Sequence, residues 1–146
     1  MSASPETDPF VWRSRVYYED TDFSGLVYHA NYLKFFERAR TEWLRALGRD
    51  QATLKANENL IFVVRRIEVD YLRAARIDDL IDVSVAIEPS RHRVFFMMEQ
   101  EACVAGEPVC RAKVKLACLE ADTLRPRVFP DLLPSPLSAT PAERPA

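Results

Sequence analysis

Cysteine, glycine and histidine are scarce in this sequence of 146 residues, which contains three, three and two of them. The cysteines, Cys103, Cys110 and Cys118, form no Cys-x-x-Cys pair and no zinc-type set with histidine. An odd number of cysteines at wide spacings does not indicate a disulfide framework. We interpret them as reduced thiols in a reducing compartment, where disulfides are rare.

Long hydrophobic runs and a strong net charge are absent as well. No apolar run approaches the roughly 20 residues that cross a bilayer, and residues 1–9 lack the apolar segment of a signal peptide. The net charge of −2 provides no general attraction to nucleic acid or anionic lipid. These absences predict a cytoplasmic protein with no transmembrane segment and no nucleic-acid partner.

Proline is concentrated near the C-terminus, where six of the ten prolines follow Leu124. Residues 133–146 are mainly Pro, Ala, Ser and Thr. Such a segment buries too little surface to offset the entropy of ordering it, and we predict a disordered tail there. Residues 1–9 are predicted to be a flexible leader. The remaining residues, 10–132, have the size of a single folded domain.

One long amphipathic helix is predicted over residues 30–47. Gly48 follows it as a stop signal, and Arg45 and Arg49 lie near the negative end of the helix dipole. Large apolar side chains recur at helical spacing and form a wide stripe, made of Tyr32, Phe35, Phe36, Ala39, Trp43 and Ala46. A stripe so rich in aromatic residues requires a broad apolar surface, such as one face of a β-sheet.

Five segments show the two-residue alternation of β-strands: 11–19, 61–71, 80–88, 93–104 and 109–119. In the second segment, one parity is apolar and is predicted to face the core as a set, namely Ile61, Val63, Ile67, Val69 and Tyr71. The fourth is apolar on both parities at its start, so we expect cover on both faces. Short links predict antiparallel neighbours. The predicted class is α+β, with one helix packed on a sheet of about five strands.

The segment between the first strand and the helix is rich in groups that carry chemistry. Asp20 and Asp22 lie two residues apart in a polar turn, Gly25 permits a close bend, and His29 falls in the first helical turn. Unpaired N–H groups at a helix N-terminus can polarise a carbonyl group. A neighbouring carboxylate can then act as nucleophile or as general base toward water, so the arrangement suits acyl transfer.

Each of these residues also has a structural interpretation. Asp20 and Asp22 are typical of turns in which the side chain bonds its own backbone. Together they also offer oxygen ligands for Mg²⁺, although no third carboxylate follows at the spacing of a known metal loop. His29 is compatible with a packing role, and Tyr18 with a core aromatic whose hydroxyl reaches the rim.

A long motif in this segment narrows the choice between the catalytic and the structural interpretations. It reads Tyr18-x-Asp20-Thr21-Asp22-x-x-Gly25-x-Val27-Tyr28-His29-x-x-Tyr32, followed by Phe36-Glu37-Arg38-Ala39-Arg40-Thr41-Glu42. Later stretches add Phe62-Val63-Val64-Arg65-Arg66, Tyr71, Ala75-Arg76, Asp78-Asp79 and Pro126-Arg127. Over about residues 11–130, these motifs closely resemble the 4-hydroxybenzoyl-CoA thioesterase family. Within it, they are most similar to the bacterial acyl-CoA thioesterases associated with the Tol-Pal system.

The resemblance implies a hotdog fold, in which a curved antiparallel sheet wraps around one long helix. It implies hydrolysis of an acyl-coenzyme A thioester, with no cofactor and no metal. Protomers of the family pair so that two sheets join edge to edge, active sites form at the dimer interface, and pairs often assemble into homotetramers. Acyl carrier protein is a further partner that the resemblance allows.

The resemblance also assigns roles to individual residues of the site. The family's catalytic aspartate is the second acid of the Asp-Thr-Asp run, which is Asp22 here, and the N–H that polarises the carbonyl lies at His29. The site tyrosine and histidine of the subgroup correspond to Tyr18 and His29. Basic residues that meet the phosphates of coenzyme A in relatives correspond to Arg91 and Arg93. A solvated turn with ordinary surface charge is the equal alternative for these two arginines.

Other features leave alternatives open. Phe23-Ser24 stands where the subgroup often has small residues, which predicts a narrower acyl pocket. Glu37 is interpreted as an ion-pair partner of Arg38 or Arg40 rather than as the helix base of some other hotdog enzymes. Two alternative functions are a hotdog dehydratase or hydratase, although its characteristic proline-glycine run is lacking, and a non-catalytic module that binds acyl-CoA or acyl carrier protein.

Overall fold

The computed structural model describes residues 9–88 and 94–128. Five strands form one sheet in the order β1-β3-β4-β5-β2, and all neighbours are antiparallel. The elements are β1 (Phe10–Arg15), α1 (Tyr32–Ala46), α2 (Gln51–Glu58), β2 (Leu60–Tyr71), β3 (Leu80–Ile87), β4 (Phe95–Val104) and β5 (Glu107–Glu120). The predicted α+β class is confirmed. Most of the predicted leader and the whole predicted tail lie outside the described residues.

Helix α1 confirms the predicted long helix with small shifts at its ends. A 3₁₀ turn at His29–Asn31 leads directly into it. Gly48, in the left-handed region at φ 76°, follows its end, and the Arg49 N–H donates back to the Leu44 carbonyl at 3.0 Å. Ala46, predicted to be in the apolar stripe, is exposed. The buried side chains of the helix share the core of the sheet: Tyr32, Phe35, Phe36, Ala39, Trp43 and Leu44.

The first strand ends earlier than its alternation predicts. β1 stops at Arg15 instead of reaching Glu19, and Val16 is buried where its N–H donates to the Asp79 carbonyl at 2.8 Å. A 3₁₀ turn follows at Tyr18–Asp20. The chain therefore leaves the sheet before the acidic turn begins.

Helix α2 was not predicted. Its N-cap is Asp50, whose Oδ2 accepts a hydrogen bond from the Thr53 N–H at 3.1 Å, and Asn59 ends it in the left-handed region at φ 55°. Leu54 is its single buried residue. One buried side chain gives no recognisable helical period, whereas the Asp50–Thr53 capping pair was a usable signal.

A β-bulge in β2 makes the predicted single inward parity wrong. The register with β5 shifts between Val64 and Arg66, so one extra residue is inserted. Before the bulge, Phe62 packs against the core, whereas Ile67 and Val69 do so after it. The inserted residue switches which parity faces inward, so Ile61 and Val63 lie on the outer face.

The start of β4 is covered on one face only, which corrects the expectation of cover on both. Phe96 is buried in the core, whereas Phe95 is 38% exposed on the outer face. The Arg65 guanidinium and the Lys115 ammonium group lie 5.2 and 4.7 Å from the centroid of the Phe95 ring. These cation–π contacts replace burial for that ring.

Candidate active site

The turn that holds Asp22 is a tight hairpin between β1 and α1. The Asp22 N–H donates to the Leu26 carbonyl at 3.0 Å, and the Gly25 N–H donates to the Asp22 carbonyl at 2.9 Å. Thr21 and Val27 pair across it as an antiparallel bridge. Gly25 has φ 83°, a conformation that side chains with a Cβ rarely adopt. The backbone at Asp22 is thus fixed by main-chain bonds on both sides.

This hairpin is anchored to the segment that follows β2. The Val27 N–H donates to the Ala75 carbonyl at 2.8 Å, and Leu26 forms a bridge with Arg76. The buried Ala75 in turn donates its N–H to the Tyr32 hydroxyl oxygen at 3.2 Å. The hairpin, the end of β2 and the start of α1 therefore meet at one place.

Asp20 has a structural role, as the interpretation of the acidic pair as turn residues predicted. Its side chain is 4% exposed. Oδ2 accepts from the Tyr17 N–H at 2.8 Å, and Oδ1 accepts from the Asn31 side-chain amide at 2.8 Å. Its carbonyl accepts from the Tyr28 N–H at 3.0 Å. Asp20 therefore ties the acidic turn to the start of the helix.

Asp22 differs from Asp20 because its carboxylate is exposed. Oδ1 accepts hydrogen bonds from the Ser24 hydroxyl and, at 2.8 Å, from the Ser24 N–H. Oδ2 has no donor among the residues that the structure describes. The hydroxyl and N–H of Ser24, and more weakly His29, lower the pKa of Asp22. One carboxylate oxygen is held while the other is available.

Asp22 and His29 line the same open groove, which has a volume of about 320 Å³. Its other walls come from the start of α1 and the end of β2, including Tyr32, Tyr71, Leu72 and Arg73. The Asp22 hairpin, the start of α1 and the end of β2 thus all contribute to the groove. The groove has the mixed apolar and polar lining that is typical of small-molecule sites.

His29 begins the helical segment. Its ring lies 4.6 Å from the Tyr28 ring and 6.2 Å from the Tyr71 ring, measured between centroids. Within the described parts of the chain, the N–H groups of His29 and Ala30 have no hydrogen-bond acceptor. First-turn N–H groups of a helix point back along its axis and carry partial positive charge. Two such donors therefore lie at the start of the helix that follows the Asp22 hairpin.

Tyr18 is not brought to this groove within one chain. Its side chain is 82% exposed, which makes the interpretation as a core aromatic wrong. Its carbonyl accepts from the Thr21 hydroxyl at 2.7 Å, so its backbone closes the 3₁₀ turn. The structure joins Asp22 and His29, places Tyr18 apart from them, and leaves Arg91 and Arg93 outside the described residues.

Two further expectations need correction. Phe23 is fully exposed and does not line the groove, so it does not narrow it in the single chain. Glu37 forms no close ion pair in the described residues, and its charge acts on the Arg40 guanidinium only from a longer distance. Arg40 instead donates to the side-chain oxygen of buried Gln100 at 2.9 Å.

Three residues of the groove were missed as functional candidates: Ser24, Tyr32 and Tyr71. The spacing of Ser24, two residues after an aspartate in a turn, was a usable signal for the bond that it makes. Tyr32 belongs both to the helix stripe and to the family motif, but neither assigns it a role in the site. Tyr71 is distant in sequence, and although it is one of the residues that carry the resemblance, neither the resemblance nor its strand alternation assigns it a role in the site.

An antiparallel sheet packed on one long helix, with a groove where that helix begins, is the architecture of the hotdog proteins. A sequence model of the thioesterase-like superfamily matches residues 16–137. The chain belongs to this superfamily, whose members include thioester hydrolases. In the described residues, no helix is long and apolar enough to span a membrane.

Relatives and solved structures agree with this assignment. The chain is 43% identical over 121 residues to the acyl-CoA thioesterase YbgC of Haemophilus influenzae, covering 83% of this chain and 88% of that protein. It is 39% identical over 124 residues to the acyl-CoA thioester hydrolase YbgC of Escherichia coli O6:H1, covering 85% and 92%. A probable thioesterase from Bartonella henselae has a TM-score of 0.80 at 39% identity, over 84% of this chain and 100% of that one. The predicted family and hotdog fold are confirmed.

Proposed function

We propose that this protein hydrolyses the thioester of an acyl-coenzyme A to a carboxylic acid and free coenzyme A. The observation that carries the proposal is the unbonded Oδ2 of Asp22, in the groove that His29 also lines. The relatives named as acyl-CoA thioesterases support this substrate class.

In this mechanism the thioester carbonyl oxygen points at the helix start and accepts from the His29 N–H. This bond holds the negative charge that develops on the oxygen as the carbonyl carbon becomes tetrahedral. Asp22 Oδ2 either attacks the carbon, giving an anhydride that water then hydrolyses, or removes a proton from an attacking water. In both routes the carbon–sulfur bond breaks and coenzyme A leaves as its thiolate. We propose Tyr18 as an accessory residue of the same site, contributed across a subunit interface.

Asp22 must be ionised in either route, and its bonds to Ser24 lower its pKa and so extend the ionised range to lower pH. We expect Ser24→Ala to move the acid limb of the kcat/KM profile to higher pH. The Ser24 hydroxyl is the first cause of the lowered pKa of Asp22, and the substitution removes that donor while the backbone N–H remains. The pKa then rises, so the carboxylate protonates earlier as pH falls. Rates measured from about pH 3 to 7 would locate the limb. A limb that stays in place would contradict this account.

We further propose that Arg91 and Arg93 bind the phosphates of coenzyme A. The sequence supports this through two guanidinium groups, whose fork of donors suits phosphate oxygens. Thioesters of acyl carrier protein and a link to the Tol-Pal system remain predictions from the resemblance, and a cytoplasmic location remains a prediction from the sequence.

We also propose that two copies of the chain pair through β2 and that such dimers assemble further. β2 is an edge of the sheet, and at 12 residues it is twice as long as β1, the six-residue strand at the other edge. A long edge offers a row of backbone N–H and C=O groups for pairing with a second strand. Tyr71, at the end of β2, lines the groove, so this pairing places a partner beside the site.

Val64→Lys is expected to shift the protein toward monomer and to lower activity at least tenfold. Val64 lies on the β2 edge strand and is 47% exposed, and a lysine there opposes strand pairing. Sedimentation velocity would measure the oligomeric state. Val128→Lys, at a valine that is 50% exposed and lies outside the strands, is the matched control and should leave assembly unchanged. An unaltered sedimentation coefficient in Val64→Lys would reject pairing through β2.

The experiment that tests the function is a thiol-release assay on a series of acyl-CoAs, from short aliphatic to aromatic. Multiple-turnover release that requires Asp22 supports the proposal. Tight binding without release would point to a binding module instead. Hydration of an enoyl thioester without thiol release would point to a hydratase.

A further inference from the structure

Tyr71 makes an unusual contact with the start of the helix. It is the last residue of β2, and its hydroxyl donates to the backbone carbonyl of His29 at 2.9 Å. Its ring packs edge-on against the His29 ring at 6.2 Å and against the Tyr32 ring at 5.8 Å. The side chain is half exposed and lines the groove beside Asp22. A residue 42 positions away in sequence thus holds the first residue of the helical segment.

The contact acts on one particular peptide group. The His29 carbonyl and the Ala30 N–H belong to the same planar trans peptide, so they point in opposite directions. Fixing the carbonyl therefore fixes the direction of the Ala30 N–H. The preceding peptide is held in the same way, because the Tyr28 carbonyl accepts from the Asn31 N–H at 2.8 Å. That bond sets the direction of the His29 N–H.

We propose that Tyr71 is a positioning residue that orients the Ala30 N–H as a second donor to the thioester carbonyl oxygen, beside the His29 N–H. This inference rests on the proposed thioesterase function and deepens it. The hydroxyl also polarises the peptide, since a hydrogen bond to a carbonyl strengthens the N–H of the same group as a donor. Tyr71 thus acts on the transition state through the peptide, without touching the substrate's reacting atoms.

The chemistry of Tyr71 suits this role. Burial raises the pKa of its phenol, so the hydroxyl keeps its proton throughout the neutral range. Its ring contacts are independent of the hydroxyl. Tyr71→Phe therefore removes the bond to His29 and keeps the packing against His29 and Tyr32.

We expect Tyr71→Phe to lower kcat about tenfold with KM changed less than twofold. The loss is smaller than the hundredfold or more for deleting an oxyanion donor, because the Ala30 N–H remains and only its orientation and strength suffer. Tyr17→Phe is the matched control, since Tyr17 is 62% exposed and does not line the groove. It should match the wild type in both constants.

A second readout separates polarisation from a general structural effect. The stretching frequency of a ¹³C-labelled thioester carbonyl can be measured by infrared difference spectroscopy on acyl-CoA bound to the Asp22→Asn enzyme. Two donors lower this frequency, and adding Tyr71→Phe should move it back toward the value in water. An unchanged band, or a kcat equal to that of Tyr17→Phe, would overturn the role of Tyr71. In that case thiol release lost in Asp22→Asn would still uphold the function, whereas no release by the wild type would overturn both.

Discussion

Asp22→Asn is expected to reduce thiol release from acyl-CoA about a thousandfold, while binding of the substrate persists. The amide cannot attack a carbonyl carbon or accept a proton from water, and these are the two routes open to the carboxylate. Asparagine retains an oxygen that can accept from the Ser24 N–H and hydroxyl, as Oδ1 of Asp22 does. The hairpin should therefore keep its shape, and the loss should appear in kcat.

The matched control for this substitution is Asp50→Asn. Asp50 resembles Asp22 in chemistry: its oxygens accept from the N–H and hydroxyl of Thr53, and these bonds lower its pKa. It caps α2 and does not line the groove, and asparagine is an equally good cap. Asp50→Asn should turn over like the wild type. Steady-state kinetics in which Asp22→Asn did the same would exclude Asp22 as the central catalytic group.

Asp20→Ala is expected to destabilise the fold by about 3 kcal/mol and to lower the melting temperature by about 10 °C. The substitution leaves two donors, the Tyr17 N–H and the Asn31 amide, without their acceptor. Each donor left unsatisfied in a buried place costs about 1–3 kcal/mol. Because these bonds join the hairpin to the helix start, activity should also fall at temperatures where the variant remains folded.

Asp82→Ala provides the comparison. Asp82 also accepts two bonds, from Arg13 at 2.7 and 3.1 Å, but this pair lies at the surface of the sheet. Exposed ion pairs contribute about 0–1 kcal/mol, so this variant should melt close to the wild type. Thermal unfolding followed by circular dichroism would measure both. An equally small decrease of the melting temperature in the two variants would show that Asp20 does not anchor the turn.

The elements that could be predicted from sequence are those in which the spacing of the apolar side chains matches the pattern of buried residues. The stripe from Tyr32 to Trp43 predicts α1, and the alternation from Cys110 to Cys118 predicts β5. In β2 the period of the side chains does not match the burial. The inserted residue between Val64 and Arg66 reverses the inward parity, and nothing in the side chains marks which peptide leaves the hydrogen-bond ladder.

The candidate site also has one part that the sequence predicts and another that it does not. Asp22 and His29 follow from a motif that is continuous along the chain. The different fates of Asp20 and Asp22 do not follow from residue type, since both are aspartates in one turn. Burial with two donors makes one structural, and exposure with a free oxygen makes the other available for chemistry. The motif placed Tyr18 in the site, but the single chain holds it in solvent.

The sequence by itself determined the α+β class, the long helix, the antiparallel pairing and the carboxylate beside a helix start, because these depend on neighbours within a few residues. Only the tertiary structure decided that β2 lies at the edge beyond β5 and that Tyr71 reaches the His29 carbonyl. The physical reason is that hydrogen bonds between distant segments depend on strand order and register. These are set by packing of the whole core, in which one added residue in a strand redirects every side chain after it.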